Sequence, residues 1–313
     1  MRDAGHLDIG PLRFLLRLGS AGTVRYSAPA YAGFFLPPGD LASPEAEFGS
    51  PAAQGGRDRP LCELPVEIVR RAAPIPSREP LWSGGKNWAV WEDGADLICC
   101  AGFHAREHAR FECRVARDLS RAELALDPGL EGAGPETYES PLRYPVDQIL
   151  SWGMLSRIGG ALLHAAVAVR DGVGWVFAGR SGAGKSTLSA LCHAEGFRIL
   201  NDDRVLVFRR HDEWKVAGTP WHGSGRFAEA AEVPLGGIFF LRRAAEDRLE
   251  SISAAQARLA LMDVAAVPWF EDAWSQGILD GLDHLAQGVE SCRFHFTKTS
   301  AAVRVLETTG VPA

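Results

Sequence analysis

No apolar run in this chain is long enough to span a bilayer, so no stretch of it reads as a transmembrane helix. The amino-terminal MRDAGHLDIGPLRFLLRLG carries early acids and sets Arg13 and Arg17 inside its apolar part, which speaks against a secretory signal. Cysteine is sparse. Six in 313 residues make no disulfide framework, and without an export signal they read as the reduced thiols of a cytoplasmic protein. Positive charge is not in excess either. With a formal net charge of −6, electrostatics offers no case for a nucleic-acid or membrane partner. No internal repeat is visible. What remains, 46% hydrophobic and 23% charged, is ordinary for a globular chain, and its length suggests two domains.

Against this plain background one stretch stands out, Gly179-Arg180-Ser181-Gly182-Ala183-Gly184-Lys185-Ser186-Thr187. Gly-x-x-x-x-Gly-Lys-Ser is the pattern of a phosphate-binding loop (P-loop). Its glycines let backbone N–H groups turn inward around phosphate oxygens, its Lys reaches the β/γ-phosphates, and its Ser hydroxyl holds Mg²⁺. A Gly-rich turn could match by accident, but the flanks fit as well. Gly174-Trp175-Val176-Phe177-Ala178 reads as an entering strand, and Leu188, Leu191 and Cys192 mark a helix that ends near Gly196. That helix adds its positive end to the anion site. The chain is therefore expected to bind a nucleoside triphosphate.

Asp202 and Asp203 follow after one helix and a short strand, Phe197–Leu200. Two adjacent carboxylates opposite a phosphate loop have a use: one holds Mg²⁺ with Ser186, directly or through water, and the other takes a proton from an attacking hydroxyl. The bland alternative is a solvated Asp-Asp turn. His164 precedes an expected strand, Ala165–Arg170, which turns at Asp171-Gly172 into the strand feeding the loop. A lone His at such a junction is usually structural, and spacing alone favours that reading.

The rest of the chain divides into two regions. Residues 1–140 read as a small β-rich, mostly antiparallel or α+β domain of unassigned role. Leu12–Leu18 fits a strand or a short helix, and residues 27–62 look like a long loop. Strands are expected at Val66–Arg70, Asn87–Trp91, Asp96–Cys100 and Phe111–Val115, with a hairpin turn at Glu92-Asp93-Gly94. Residues 127–141 read as a linker. The second domain, 145–313, opens with a helix over Val146–Leu163. Later come a hairpin around His211-Asp212-Glu213, a strand pair Ile238–Leu241 and Leu249–Ile252, and a helix after Ser253. A helix at Ile278–Leu285, a strand at Cys292–Phe296 and a helix at Ala301–Leu306 complete it.

The stretch from His164 to Val207, HAAVAVRDGVGWVFAGRSGAGKSTLSALCHAEGFRILNDDRVLV, resembles the carboxy-terminal catalytic domain of HPr kinase/phosphorylase. These bacterial serine kinases share a fold with ATP-dependent phosphoenolpyruvate carboxykinase. The His, the glycine hairpin, the phosphate loop and the Asp-Asp pair stand in the family's order and spacing. The resemblance covers about residues 145–313, densely only 164–207. It implies an α/β P-loop kinase domain in which Lys185 binds phosphates, Ser186 and Asp202 hold Mg²⁺, Asp203 accepts the proton and His164 belongs to the active site. It reverses the structural reading of His164.

The chain departs from that family at two places. The downstream Glu-Ile-Arg-Gly-type motif is replaced by Gly218-Thr219-Pro220-Trp221-His222-Gly223-Ser224-Gly225-Arg226, and the loop ends in Ser-Thr where Ser-Glu is usual. The first of these looks more like the HPr-kinase-like proteins of modified-peptide clusters, including lasso-peptide pathways, as do Tyr144-Pro145-Val146-Asp147 and Ile238-Phe239-Phe240-Leu241. Arg226 is a candidate for stabilising the transferring phosphoryl group, since a planar guanidinium suits its oxygens; alternatively it lies on the surface of a Gly-rich turn. Cys99, Cys100, His104, His108 and Cys113 cluster in sequence, but adjacent Cys99 and Cys100 would point to opposite faces of a strand, which argues against a zinc site.

The expectation is an ATP- and Mg²⁺-dependent kinase acting on a hydroxyl, foremost a serine of a protein or peptide. A small-molecule kinase and a non-catalytic ATP-binding sensor or assembly module remain as alternatives. HPr kinases form hexamers, and no stretch here reads as the corresponding interface, so a homo-oligomer is left open.

Overall fold

The computed structural model describes residues 2–19, 23–25, 28–38, 58–85, 87–104, 108–127, 137–140 and 142–308. The chain has a mixed α/β fold and divides into two compact units, Met1–Met154 and Leu155–Ala313. Among the described residues no helix is long and apolar enough to cross a membrane.

The first unit is built on one nine-stranded sheet. In chain order its strands are β1 (Arg2–Ile9), β2 (Leu12–Leu18), β3 (Thr23–Arg25), β4 (Phe35–Leu36), β5 (Cys62–Arg70) and β6 (Trp82–Ser83). They continue with β7 (Trp88–Asp93), β8 (Asp96–His104), β9 (His108–Ala116), β10 (Ala122–Leu126) and β11 (Thr137–Glu139). The sheet runs β4-β1-β2-β5-β10-β9-β8-β7-β6, while β3 and β11 pair separately. Its pairings are antiparallel except at β5, which lies parallel to both β2 and β10. Leu12–Leu18 resolves as a strand, because Leu12, Phe14, Leu16 and Leu18 alternate into the core with Leu64, Val66 and Ile68 of β5. Of the tract expected as a long loop, residues 28–38 carry β4, and residues 39–57 lie outside the described ones, as do 128–136 of the expected linker. The hairpin turn falls later than expected. Asp93 still pairs with Asp96, so Gly94 and Ala95 form a two-residue turn, with Gly94 at a φ of 61°. Cys99 and Cys113 sit opposite each other on β8 and β9; burial pushes both thiols up, and that of Cys100 to about 12. These are inert packing groups.

Leu155–Ala313 contains an eight-stranded sheet and the helices that position the candidate site. Its elements are the end of α1 (Val146–Ile158), β12 (Ala161–Arg170), β13 (Val173–Ala178), α2 (Lys185–Ala194), β14 (Arg198–Asn201) and β15 (Arg204–Arg210). After these come β16 (Glu213–Ala217), β17 (Glu232–Arg243), β18 (Arg248–Ser251), α3 (Ala254–Met262), α4 (Asp272–Gly288), β19 (Ser291–Phe296) and α5 (Ala301–Thr308). Strand β17 lies parallel to β13 on one edge and β19 on the other, so all three bring their carboxyl ends to one side. That is where ligands bind open α/β sheets. One expected pairing fails. Leu249 and its neighbours do form β18, but β19 inserts between it and β17. Ser253 does cap α3, through a capping box with Gln256.

The helix expected over Val146–Leu163 stops at Ile158. Gly159 turns left-handed at a φ of 63°, and a side chain on Gly160 would lie 2.9 Å from Leu155 and 3.0 Å from the Val207 carbonyl. Leu162 and Leu163 therefore belong to β12, and His164 stands inside that strand rather than before it.

Helix α2 is locked to the sheet by apolar packing. Leu188 and Cys192 join Ala166 and Ala168 of β12, Phe177, Phe239, Leu241, Phe294, Phe296 and the buried face of α5 in one cluster. The rings of Phe177, Phe239, Phe294 and Phe296 meet in a chain of tilted and edge-to-face contacts at 5.6–6.4 Å. Both ends of the 179–184 segment are thereby fixed to rigid elements.

Candidate functional site

Strand β13 delivers Gly179 and helix α2 begins at Lys185, so the segment between them is the strand–loop–helix arrangement that the motif requires. Gly184 is the N-cap, at a φ of 110°; a Cβ there would lie 2.5 Å from the buried Phe296 ring. Only glycine fits. Lys185 is 5% exposed and its Nζ donates to the carbonyl oxygens of Gly179 (2.9 Å) and Arg180 (3.4 Å). Burial pulls its ammonium below the usual lysine range, the charge of Arg204 adds to this, and Asp203 and Asp202 act the other way. A phosphate group would supply the counter-charge that burial leaves wanting.

Strands β14 and β15 are almost one strand. Both run antiparallel to the same edge of β12, with Val167 opposite Asn201 and His164 opposite Arg204. The run is broken at the Asp-Asp pair because Asn201 takes over its backbone donors. The Asn201 Oδ1 accepts from the N–H groups of Asp203 and Arg204, each at 2.8 Å, and its Nδ2 donates to the Thr219 carbonyl at 2.8 Å. Thr219 in turn donates its hydroxyl to the Arg204 carbonyl at 2.7 Å. Asn201 and Thr219 are fully buried, so the kink is held from behind.

The two carboxylates then part company. Asp203 lines the cleft, and its Oδ1 is 2.9 Å from His164 Nε2, with Arg204 Nε 3.7 Å from the other oxygen. Burial raises the Asp203 carboxyl, but the hydrogen bond with His164 and the charges of His164, Arg204 and Lys185 outweigh it, leaving it below its ordinary value. It is a carboxylate at neutral pH. Asp202 is 1% exposed and turns to the protein. Its Oδ1 accepts from Gly223 N–H (2.8 Å), and its Oδ2 accepts from Gly225 N–H (2.6 Å) and lies 3.4 Å from the Ser186 hydroxyl. A Cβ on Gly223 or Gly225 would come within 2.8 Å of Asp202 Oδ2, so the turn approaches this closely only as glycine.

His164, Ser181, Gly182, Gly184, Lys185, Ser186, Thr187 and Asp203 share a cleft of about 360 Å³ with Gly223, Ser224 and Arg243. Gly179, Arg180 and Ala183 instead line a second cleft of about 380 Å³, which shares Ser181 and Gly182 with the first and is walled by Phe240, Ala260 and Val264. The Arg180 guanidinium pairs with Asp263 at 2.8 Å. Arg226 is exposed at a φ of 58° and lines neither cleft; Arg243, at the carboxyl end of β17, lines the first, and Arg180 and Arg242 line the second. Asn201, Ser224 and Arg243 carried no functional reading in the sequence. A buried-type amide directly before Asp-Asp, and a serine between two glycines, were the available signals for the first two. Nothing marked Arg243.

The donor set suits Mg²⁺. Ser186 and Asp203 offer oxygen to the cleft, Asp202 stands behind Ser186, and this ion is held by one or two protein oxygens together with substrate phosphates and water. Among the described residues no three His, Cys, Asp or Glu side chains gather as a self-sufficient metal site.

The family described as SynChlorMet cassette protein ScmC matches residues 149–288, which takes in β12 to α4. Among solved structures, the HPr(Ser) kinase/phosphatase from Coxiella burnetii is similar at 13% identity, covering 47% of this chain and 95% of that one with a TM-score of 0.29. No curated protein matches.

Proposed function

We propose that Leu155–Ala313 is a P-loop kinase domain of the HPr kinase type, which transfers the γ-phosphoryl group of ATP to a hydroxyl, with a serine of a protein or peptide as acceptor. One observation carries this reading: Lys185, Ser186 and the His164–Asp203 pair face a single cleft over the amino-terminal end of α2. Binding alone would need the loop but not a second carboxylate held by a histidine.

In this reading the N–H groups of residues 182–187 and Lys185 hold the phosphates, and the Lys185 ammonium leaves the loop carbonyls for them. Ser186, backed by Asp202, would hold Mg²⁺, which would supply neutralisation of phosphate charge. Asp203 orients the acceptor hydroxyl and takes its proton as the new oxygen–phosphorus bond forms and the bond to the β-phosphate oxygen breaks, releasing ADP. The low proton affinity of Asp203 suits a loose transition state, in which the proton moves late and positioning dominates. His164 fixes the carboxylate's orientation through Oδ1. Arg243, which lines the cleft, is assigned the cation's role at the developing charge in place of Arg226, which is exposed and lines neither cleft.

The test is γ-phosphoryl transfer from ATP-Mg²⁺ to a panel of serine peptides, proteins and small hydroxyl compounds, in wild type and Asp203→Asn. Transfer that is lost in the variant while nucleotide binding persists supports the reading. Tight nucleotide binding with no transfer in either protein overturns it in favour of a sensor.

A further inference from the structure

The 223–225 turn carries a hydroxyl residue on the wall of the cleft. Ser224 is exposed and lines the same cleft as Lys185, Ser186 and Asp203. The residues on either side of it are pinned, because the N–H groups of Gly223 and Gly225 both bond the buried Asp202 carboxylate, at 2.8 and 2.6 Å. Gly223 also packs closely on Asp203, where a Cβ would lie 3.2 Å from that residue's Cβ. The turn is closed by a hydrogen bond from Arg226 N–H to the Gly223 carbonyl at 3.3 Å, and His222 Nδ1 is 2.9 Å from that same oxygen. A serine flanked by two glycines thus lines one cleft together with residues of the 179–187 loop and the Asp203 carboxylate.

We infer that Ser224 is an intramolecular phosphoryl acceptor, so that the protein phosphorylates itself in its own cleft; this rests on the kinase reading above. The Ser224 Oγ attacks the γ-phosphorus of a bound nucleoside triphosphate, its proton passes to Asp203, and the bond between the γ-phosphorus and the bridging oxygen breaks to release the diphosphate. The product places a phosphoserine dianion beside Lys185 and Arg243 and against Asp203. It occupies the position of the γ-phosphate, so the phosphorylated protein binds triphosphate more weakly than the unmodified one.

Incubation with ATP and Mg²⁺ followed by tryptic mass spectrometry reads this directly. The peptide Val216–Arg226 holds two hydroxyls, Thr219 and Ser224, and Thr219 is fully buried with its hydroxyl donated to Arg204. One phosphate on Ser224 is expected, appearing at a first-order rate independent of protein concentration. It is lost in Ser224→Ala and in Asp203→Asn, and in Ser224→Thr it is recovered as phosphothreonine. Retained ATP binding and acceptor turnover with Ser224 unmodified would overturn this inference alone. A rate that scales with protein concentration would overturn its intramolecular form, and absence of ATP binding would overturn it together with the kinase reading.

Discussion

Removing the Asp202 carboxylate should unfasten the turn that carries Ser224. In Asp202→Ala, the N–H groups of Gly223 and Gly225 lose their acceptors at 2.8 and 2.6 Å, and Ser186 loses its partner at 3.4 Å. A hydrogen bond to a charged group is worth roughly 1.5–3 kcal/mol, but the exposed Gly225 can bond water instead. The short loop also regains conformational freedom when released, which offsets part of the loss. The expected cost is therefore about 2–4 kcal/mol for the second unit. At about 2–4 °C per kcal/mol this lowers its melting transition by roughly 4–16 °C. Asp202→Asn keeps one acceptor and should show about half the effect. Calorimetry gives the shift, and amide hydrogen exchange over residues 218–226 localises it, with Gly223 and Gly225 exchanging faster in both variants. A melting shift below about 1 °C, or unchanged exchange at the two glycines, would refute the clamp.

Three other substitutions probe separate parts of the site. Gly184→Ala forces a side chain at a φ of 110° and 2.5 Å from a buried ring, so the second unit should lose about 2–4 kcal/mol in urea unfolding and nucleotide binding should fall at least about tenfold. Arg180→Ala breaks the pair with Asp263, but both side chains are more than half exposed, so stability should stay within about 0.5 kcal/mol of wild type in the same assay. Asp203 is held below its ordinary value of 3.8, so the folded state favours its charged form; its contribution is present above that value and is lost as pH falls through the folded one. The stability gap between wild type and Asp203→Asn should thus be constant at neutral pH and close in urea titrations carried below pH about 4.

The parts of the site that were legible in the sequence are local ones. Gly179–Lys185 announces a strand–loop–helix by its letters, Asp171-Gly172 and His211-Asp212 mark tight turns, and the structure gives all three residues Asp171, His211 and Asp212 the positive φ such turns need. What stayed hidden depends on distant chain. The periodicity of Val146–Leu163 runs on past the true helix end because Leu162 and Leu163, buried on both faces of β12, look the same as a helix stripe. Only the Gly159-Gly160 pair signalled the stop. The neighbour of β17 is a strand some fifty residues later, β19, and no local feature of β18 shows that it pairs with β19 instead. The different environments of Asp202 and Asp203 likewise come from Gly223 and Gly225, twenty residues on. The two arginines show the same limit, since Arg226 sits in a conspicuous Gly-rich motif and Arg243 merely ends a strand.

The most direct measurement is ADP release by wild type and Asp203→Asn, with and without serine-containing peptide acceptors, alongside the nucleotide dissociation constant of each. A kinase that uses Asp203 as its proton acceptor shows acceptor-stimulated release in the wild type, a drop of roughly 10²–10⁴-fold in the variant, and similar nucleotide affinity in both. Equal ADP release by the two proteins, or nucleotide binding that no acceptor converts to turnover, would contradict it.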